Sequence, residues 1–295
     1  YGGYGREPVA VCLRKTKQQS ASPMHAKSIL RKYKQPDSWF VARYGMNLYR
    51  GCAHDCSYCD GRAEGYHVDG EFGKDVAVKD NALEVLGREL DPRRRRVPLK
   101  PSYIMLGGGV GDSYQPLEER RRLTRGVLQL LLDYGFPVHV LTKSVLVERD
   151  LDLLREVNDR TRAVVSFSFS TVDDPTAAVF EPGVPSPSRR LHMIERITAA
   201  GVPCGVYLMP VIPFVSDTEE MIRLSVRKVA EAGARFVVFG GMTLKEGRQK
   251  RHFFDVLQSI RPDLVARYRA IYPDNPWGGP SSDYYQAVEQ RFVRA

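Results

Sequence analysis

The chain reads as an α/β protein whose core is a partial (β/α)6 barrel. Two observations predict this. From residue 44 onward, short apolar runs alternate with helical stretches, the pattern of repeated βα units on a parallel sheet. Proline and glycine then punctuate the helices where βα units need it: Pro116 suits a first helical turn, and Gly135, Gly201 and Gly233 suit helix ends. The strands are expected at 45–49, 102–106, 138–142, 163–169, 203–209 and 235–239. The helices are expected at 81–90, 116–134, 150–159, 188–200 and 217–232. Six βα units are two short of a complete barrel. Residues 1–43 form a basic N-terminal extension with a short helix near 26–33, and residues 44–243 form the barrel. Residues 244–295 form a C-terminal cap of one amphipathic helix and a tail rich in Tyr, Pro and Gly, expected to close the open side.

A length of 295 residues suits one large α/β domain with a sizeable core. The net charge of +9 is concentrated at one end: residues 1–50 carry ten Lys and Arg against only Glu7 and Asp37. The remaining chain is almost neutral, with 34 basic and 33 acidic residues. A basic arm beside a neutral body favours a polyanionic partner over a solvated tail. The run Arg93–Arg96, bracketed by Pro92 and Pro98, reads equally well as a solvated loop. No apolar run is long enough to span a bilayer, and nothing resembles a signal peptide.

The chemistry is concentrated in Cys52-Ala53-His54-Asp55-Cys56-Ser57-Tyr58-Cys59, a C-x3-C-x2-C spacing that uses three of the five cysteines. Three thiolates can hold three irons of a four-iron cluster and leave the fourth iron open to an outside ligand. A structural zinc site would need a fourth ligand, which His54 or His67 could supply, but the chain has no second C-x2-C pair. Five cysteines are few for a disulfide framework. The spacing, with an aromatic residue before the last cysteine, resembles the cluster motif of radical S-adenosylmethionine (SAM) enzymes. The cofactors implied are one [4Fe-4S] cluster on Cys52, Cys56 and Cys59, and SAM on the open iron. In that family, electron transfer to SAM yields a 5′-deoxyadenosyl radical. Free cysteines and an oxygen-sensitive cluster point to the cytoplasm.

In a βα barrel the reacting groups sit at the C-terminal strand ends. Gly107, Gly108 and Gly109 follow the second expected strand, where glycines let a ligand approach the backbone. Asp112, Tyr114, Gln115 and Glu118 come next. Asp112 is a cofactor-contact candidate, while Glu118 suits a helix-start acid complementing the macrodipole. Lys143 ends the third strand, placed to pair with a carboxylate. Alternation puts Ser166, Ser168 and Ser170 on one face of the fourth strand, suited to ribose hydroxyls or to filling a tapered core. The fifth strand ends at Met209, suited to adenine or to ordinary core.

From 44 to 239 the chain resembles the spore photoproduct lyase family of radical SAM proteins, in its uncharacterised bacterial branch. The resemblance rests on Met46-Asn47-Leu48-Tyr49-Arg50-Gly51-Cys52, Asp112-Ser113-Tyr114-Gln115-Pro116-Leu117-Glu118, Leu141-Thr142-Lys143-Ser144, Glu181-Pro182-Gly183-Val184-Pro185-Ser186-Pro187 and Pro210-Val211-Ile212-Pro213. It implies that Lys143 and Ser168 contact SAM and that Tyr58 lies beside the cluster and adenosine. The chain departs from the founding lyase in carrying Gly107-Gly108-Gly109 where that enzyme has its donor cysteine. It also lacks the lyase's histidine-containing segment after the cluster. Only Cys12 and Cys204 remain as further thiols, too few for a second cluster.

The expected activity is lyase-like: radical cleavage or rearrangement of a bond in a nucleic acid or nucleotide. An outside electron donor such as flavodoxin or ferredoxin is an expected partner, and no membrane is. A peptide or protein substrate is the alternative enzyme reading, and a nucleic-acid-binding protein with a structural cluster is the non-enzyme one. Tyr207 and Cys204 are candidates to return a hydrogen atom to product. They lie on opposite faces of the fifth strand, and Tyr207 is nearer the barrel mouth.

Overall fold

The protein, described by a computed structural model over residues 20–37, 39–94, 97–108 and 111–295, contains two sheets. Its strands are β1 (Ser20–Met24), β2 (Arg31–Asp37), β3 (Ala42–Met46), β4 (Tyr49–Arg50), β5 (Asp75–Lys79), β6 (Ile104–Leu106), β7 (Val138–Thr142), β8 (Ala163–Phe169), β9 (Cys204–Val211) and β10 (Val237–Gly241). Its helices are α1 (Ala82–Leu90), α2 (Glu118–Arg121), α3 (Leu123–Tyr134), α4 (Leu151–Arg160), α5 (Asp174–Phe180), α6 (Pro187–Ala199), α7 (Glu219–Glu231), α8 (Arg248–Ile260), α9 (Val265–Ile271) and α10 (Ser282–Arg294). The main sheet runs β2-β3-β6-β7-β8-β9-β10. Its six strands from β3 to β10 are parallel, and β2 joins the β3 edge antiparallel. This curled sheet is the expected (β/α)6 partial barrel.

The strand sequences account for the two faces. Alternation turns Val138 and Val140 of β7, Val165, Phe167 and Phe169 of β8, and Val206 and Leu208 of β9 outward. They bury against Val127, Leu128 and Leu131 of α3, Leu154 and Val157 of α4, and Ile194 and Ile197 of α6. The inward set is smaller and more polar: His139, Leu141, Ser166, Ser168, Tyr207 and Met209. Local signals stop and start the helices as the sequence suggests. Asp173 accepts the N–H of Thr176 at 2.9 Å, Thr218 accepts that of Met221 at 3.2 Å, and Gly135 ends α3 in the left-handed region.

The structure corrects several boundaries. The segment 26–33 is not a helix but extended chain leading into β2. Asn81 bonds both backbone groups of Ala26 at 2.9 Å. The Glu89 carboxylate takes the N–H of Leu30 at 2.9 Å and of Ile29 at 3.3 Å. With those donors engaged and the β3 edge offering a ladder, tertiary pairing overrides local helix propensity. The first barrel strand ends at Met46, and β4 leaves it to pair antiparallel with β5. β5 also pairs in parallel with β1, so residues 20–37 contribute strands to both sheets. The helix expected at 116–134 breaks at Arg122, where the Glu118 carboxylate captures the Thr124 N–H at 3.0 Å. The cap has three helices rather than one. Helix α10 covers β10 through Phe292 stacked on Phe239 at 4.9 Å.

Helices α8 and α9 do not simply close the barrel. Their Phe253, Leu257 and Tyr268 share a core with Cys56 and Tyr58. Buried Gln249 of α8 donates through Nε2 to the carbonyls of Tyr58 and Thr243, both at 2.9 Å. Gln249→Leu therefore leaves the buried Tyr58 carbonyl and the half-buried Thr243 carbonyl without that donor and is expected to destabilise the protein by about 1–3 kcal/mol. Denaturant unfolding checks the cost, and limited proteolysis should show α8 cut earlier than in wild type.

Candidate active site

A cavity of about 760 Å³ opens at the C-terminal ends of the barrel strands. Its wall includes Cys52, Cys56 and Cys59, together with Tyr58, Gly107, Gly108, Asp112, Lys143, Ser168 and Met209. Gly109 lies outside the described residues. The sequence-predicted cluster and cofactor residues that can be located thus face one space.

Two buried carboxylates hold the cysteine loop in that space. Asp112 accepts from the Thr142 hydroxyl at 2.7 Å, the Tyr114 N–H at 2.8 Å and the Lys143 N–H at 2.7 Å. His54 Nε2 lies 3.1 Å from it, and His54 Nδ1 lies 3.0 Å from the Gly183 carbonyl. Burial alone would raise the Asp112 carboxyl, but these donors outweigh it and hold it below the usual value. Asp112 therefore reaches the wall with both oxygens engaged by protein, and acts as a brace between loop and strand end. Gln115 adds a second brace, accepting the Ala53 N–H at 2.9 Å.

Glu181 is the other carboxylate. Its oxygens take the Tyr58 hydroxyl, the Lys143 ammonium at 2.9 Å and the Arg190 guanidinium at 2.6 Å. Burial again opposes the charge, and Arg190 followed by Lys143 overcomes it, keeping this carboxyl far below the ordinary range. The Lys143 ammonium also lies over the Tyr58 ring at 5.6 Å. Lys143 and Tyr58 are thus positioned by the same buried anion. Ser168 donates to the Met209 carbonyl at 2.7 Å, tying the ends of β8 and β9 together.

The donor set suits an iron–sulfur cluster. Cys52, Cys56 and Cys59 all face the cavity, and cysteine thiolate is the donor that such clusters take. Burial raises all three thiols above their ordinary range. The wall is also shaped for a ligand beside them. Gly107 has φ +83°, and a Cβ there would meet the Leu141 carbonyl oxygen at 2.1 Å, so only glycine lets the backbone turn under the cavity.

The two hydrogen-relay candidates lie elsewhere. Cys204 is fully buried on the outward face of β9, beneath the helices. Tyr207 faces inward but lower down: its hydroxyl donates to the Trp39 carbonyl at 2.6 Å, and its ring stacks on Phe40 at 5.5 Å. With His139, which lies 2.6 Å from the Phe40 carbonyl and 2.8 Å from the Ser166 hydroxyl, it plugs the barrel floor. Neither residue lines the cavity. Burial pushes both groups up to about 12. Glu118 is the expected helix-start acid, the first residue of α2. It is fully buried against the Tyr49 hydroxyl and Arg149.

The family model of the Radical SAM superfamily matches residues 46–226, the stretch from the end of β3 through the cysteine loop into α7. The chain belongs to the radical SAM superfamily. An uncharacterised protein of Mycobacterium tuberculosis is 35% identical over 253 residues, covering 84% of this chain and 72% of the relative. An uncharacterised protein of Methanocaldococcus jannaschii is 27% identical over 216 residues, covering 72% and 76%. Among solved structures, spore photoproduct lyase complexed with dinucleoside spore photoproduct superposes with a TM-score of 0.65. That match has 16% identity and covers 93% of this chain and 78% of the lyase. A variant of that lyase with bound AdoMet and dinucleoside spore photoproduct gives 0.62, again at 16% identity, covering 92% and 77%. These structural matches establish a shared radical SAM fold. No helix among the described residues is long and apolar enough to cross a membrane.

Sequence reasoning gave no role to Glu181 or Arg190 and weighed His54 only as a zinc ligand. A signal existed in Glu181-Pro182-Gly183, but nothing in it says that the segment docks on a loop more than 120 residues away. Two tests follow from the Glu181 network. Arg190→Met leaves a buried carboxylate short of charge and is expected to cost about 3–5 kcal/mol, read by denaturant unfolding. Because Glu181 titrates lower in the folded than in the unfolded chain, its contribution is present at neutral pH and lost in acid. Wild-type stability should fall below about pH 4.3, the ordinary glutamate value, and Glu181→Gln should flatten that limb.

Proposed function

We propose that this radical SAM enzyme carries one [4Fe-4S] cluster, binds SAM, and cleaves or rearranges a bond in a nucleic acid. The observation that carries the reading is the meeting of three cysteine thiols, Lys143, Ser168 and Met209 in one cavity wall. Cys52, Cys56 and Cys59 would hold the cluster, and Gly107, Gly108, Lys143, Ser168 and Met209 would face SAM. When bound, the pair supplies a 5′-deoxyadenosyl radical from one external electron.

The chain's own groups bind, orient and exclude water. Lys143 would offer its ammonium to the SAM carboxylate, and Glu181 fixes where that ammonium stands. The Gly107 turn would let the amino acid end approach the backbone. The Phe40, His139 and Tyr207 plug seals the floor, so radical chemistry is kept from solvent on that side. The cavity volume falls within the ordinary range for ligand sites. A nucleic-acid substrate is supported by the positive charge of the first fifty residues and by the dinucleoside carried by the structurally similar lyase. A base within a duplex would have to leave the stack to enter.

Anaerobically reduced protein is expected to convert SAM to methionine and 5′-deoxyadenosine. Lys143→Ala and Ser168→Ala should weaken SAM binding, read by equilibrium dialysis, while iron content stays at wild-type level. Offered deuterium-labelled oligonucleotide, the enzyme should move deuterium into 5′-deoxyadenosine. Transfer from labelled peptide and none from nucleic acid would refute the substrate class.

A further inference from the structure

The cavity wall contains charge that the cofactors do not use. Lys143 is paired with Glu181, and Asp60, also in the wall, is paired with Lys245. Arg31 and Lys79 line the same cavity, and among the described residues neither has a carboxylate partner within ion-pair distance. Both approach the end of β3. Arg31 is opposite Gly45 in the β2–β3 register, and the Lys79 ammonium donates at 2.6 Å to the carbonyl of Asn47, two residues further along. Burial, then the charge of Arg50, holds the Lys79 ammonium below its usual value, and two cations without a carboxylate partner stand in this one corner of the wall. That is the electrostatic footprint of an anion site.

Tyr33 completes the corner. Alternation along β2 turns Arg31 and Tyr33 to the cavity and Lys32 and Lys34 away from it. The Arg31 guanidinium lies over the Tyr33 ring at 5.7 Å, which restrains an otherwise flexible side chain. The phenol crosses β3 at Gly45, where a Cβ would meet the Tyr33 hydroxyl at 2.3 Å. The glycine is what lets this ring lie inside the barrel. The strand itself is anchored by the Asn81 and Glu89 contacts that redirect residues 26–30.

We propose that Arg31, Lys79 and Tyr33 form a phosphate subsite at the lateral edge of the substrate cavity, which grips the backbone of a single-stranded nucleic acid beside the reacting nucleotide. Arg31 and Lys79 hold the phosphate oxygens, and the Tyr33 ring fixes the guanidinium and offers a face for stacking. The inference rests on the nucleic-acid reading of the proposed function and adds where and by what the strand is held.

Fluorescence anisotropy of a short fluorescein-labelled oligothymidylate, titrated with the full chain over a range of salt concentrations, tests the subsite. Arg31→Ala and Lys79→Ala are each expected to weaken binding roughly tenfold. The double variant should lower the salt slope by about 0.7, the value for one phosphate contact to a single strand. Lys32→Ala and Lys34→Ala, on the outward face of the same strand, should leave binding within about twofold. Tyr33→Phe should retain binding and Tyr33→Leu should lose it. If Tyr33→Leu fails to fold, the Arg31 and Lys79 variants decide. Equal losses in all four cation variants, or no loss at Arg31 and Lys79, overturn the subsite while the nucleic-acid reading stands, because wild type binds. Absence of wild-type binding at low salt overturns the subsite together with the substrate class, and leaves SAM cleavage as a separate question.

Discussion

Residues 52–59 form neither helix nor strand, and beyond two turn hydrogen bonds of their own their three thiols stay in place through contacts made to them from outside. Everything else in the site follows from that constraint. Asp112 and Gln115 hold the loop from the end of β6, His54 reaches across it to the Gly183 carbonyl, and Gln249 holds it from the cap. Glu181 ties its Tyr58 to Lys143 and Arg190. Each brace places a buried polar group where an unmet partner would cost more than the bond gains. The loop is therefore pinned by satisfaction as much as by packing.

This arrangement explains why the cap matters to chemistry. A conventional barrel closes on itself, whereas this half-barrel leaves an open flank beside β10. Helices α8 and α9 answer it by sharing their core with Cys56 and Tyr58. On the other flank, β2 lengthens the sheet past β3 and brings Arg31 and Tyr33 to the cavity. β2 and the cap thus finish different sides of one site.

The parts legible in the sequence were those set by local pattern. The strands at 138–142 and 163–169 have the predicted bounds, because βα periodicity and flanking turns define them without distant help. The cysteine spacing was readable for the same reason, and Lys143 could be singled out from its strand-end position, whereas Ser168 was set apart from Ser166 and Ser170 only by the family resemblance. What failed depended on height or distance. Alternation put Tyr207 and Cys204 on opposite faces, and strand position set Tyr207 nearer the mouth, but neither could say that it lies on the floor, against Phe40 and bonded to Trp39. The strand β2 looked helical because its partner edge and its anchors, Asn81 and Glu89, come from later in the chain. The Glu181 and Arg190 pair has an i, i+9 spacing with no periodic meaning, and it acquires one only when the loop before α6 folds onto the cysteines.

The central claim is that three thiolates hold four irons and leave one of them for SAM. Mössbauer spectroscopy of anaerobically reconstituted, iron-57-enriched protein tests it most directly. The account predicts a cubane in which one iron becomes distinct from the other three when SAM is added, in a 3:1 ratio. Four irons that stay equivalent with SAM present, or a mononuclear signal, would contradict it.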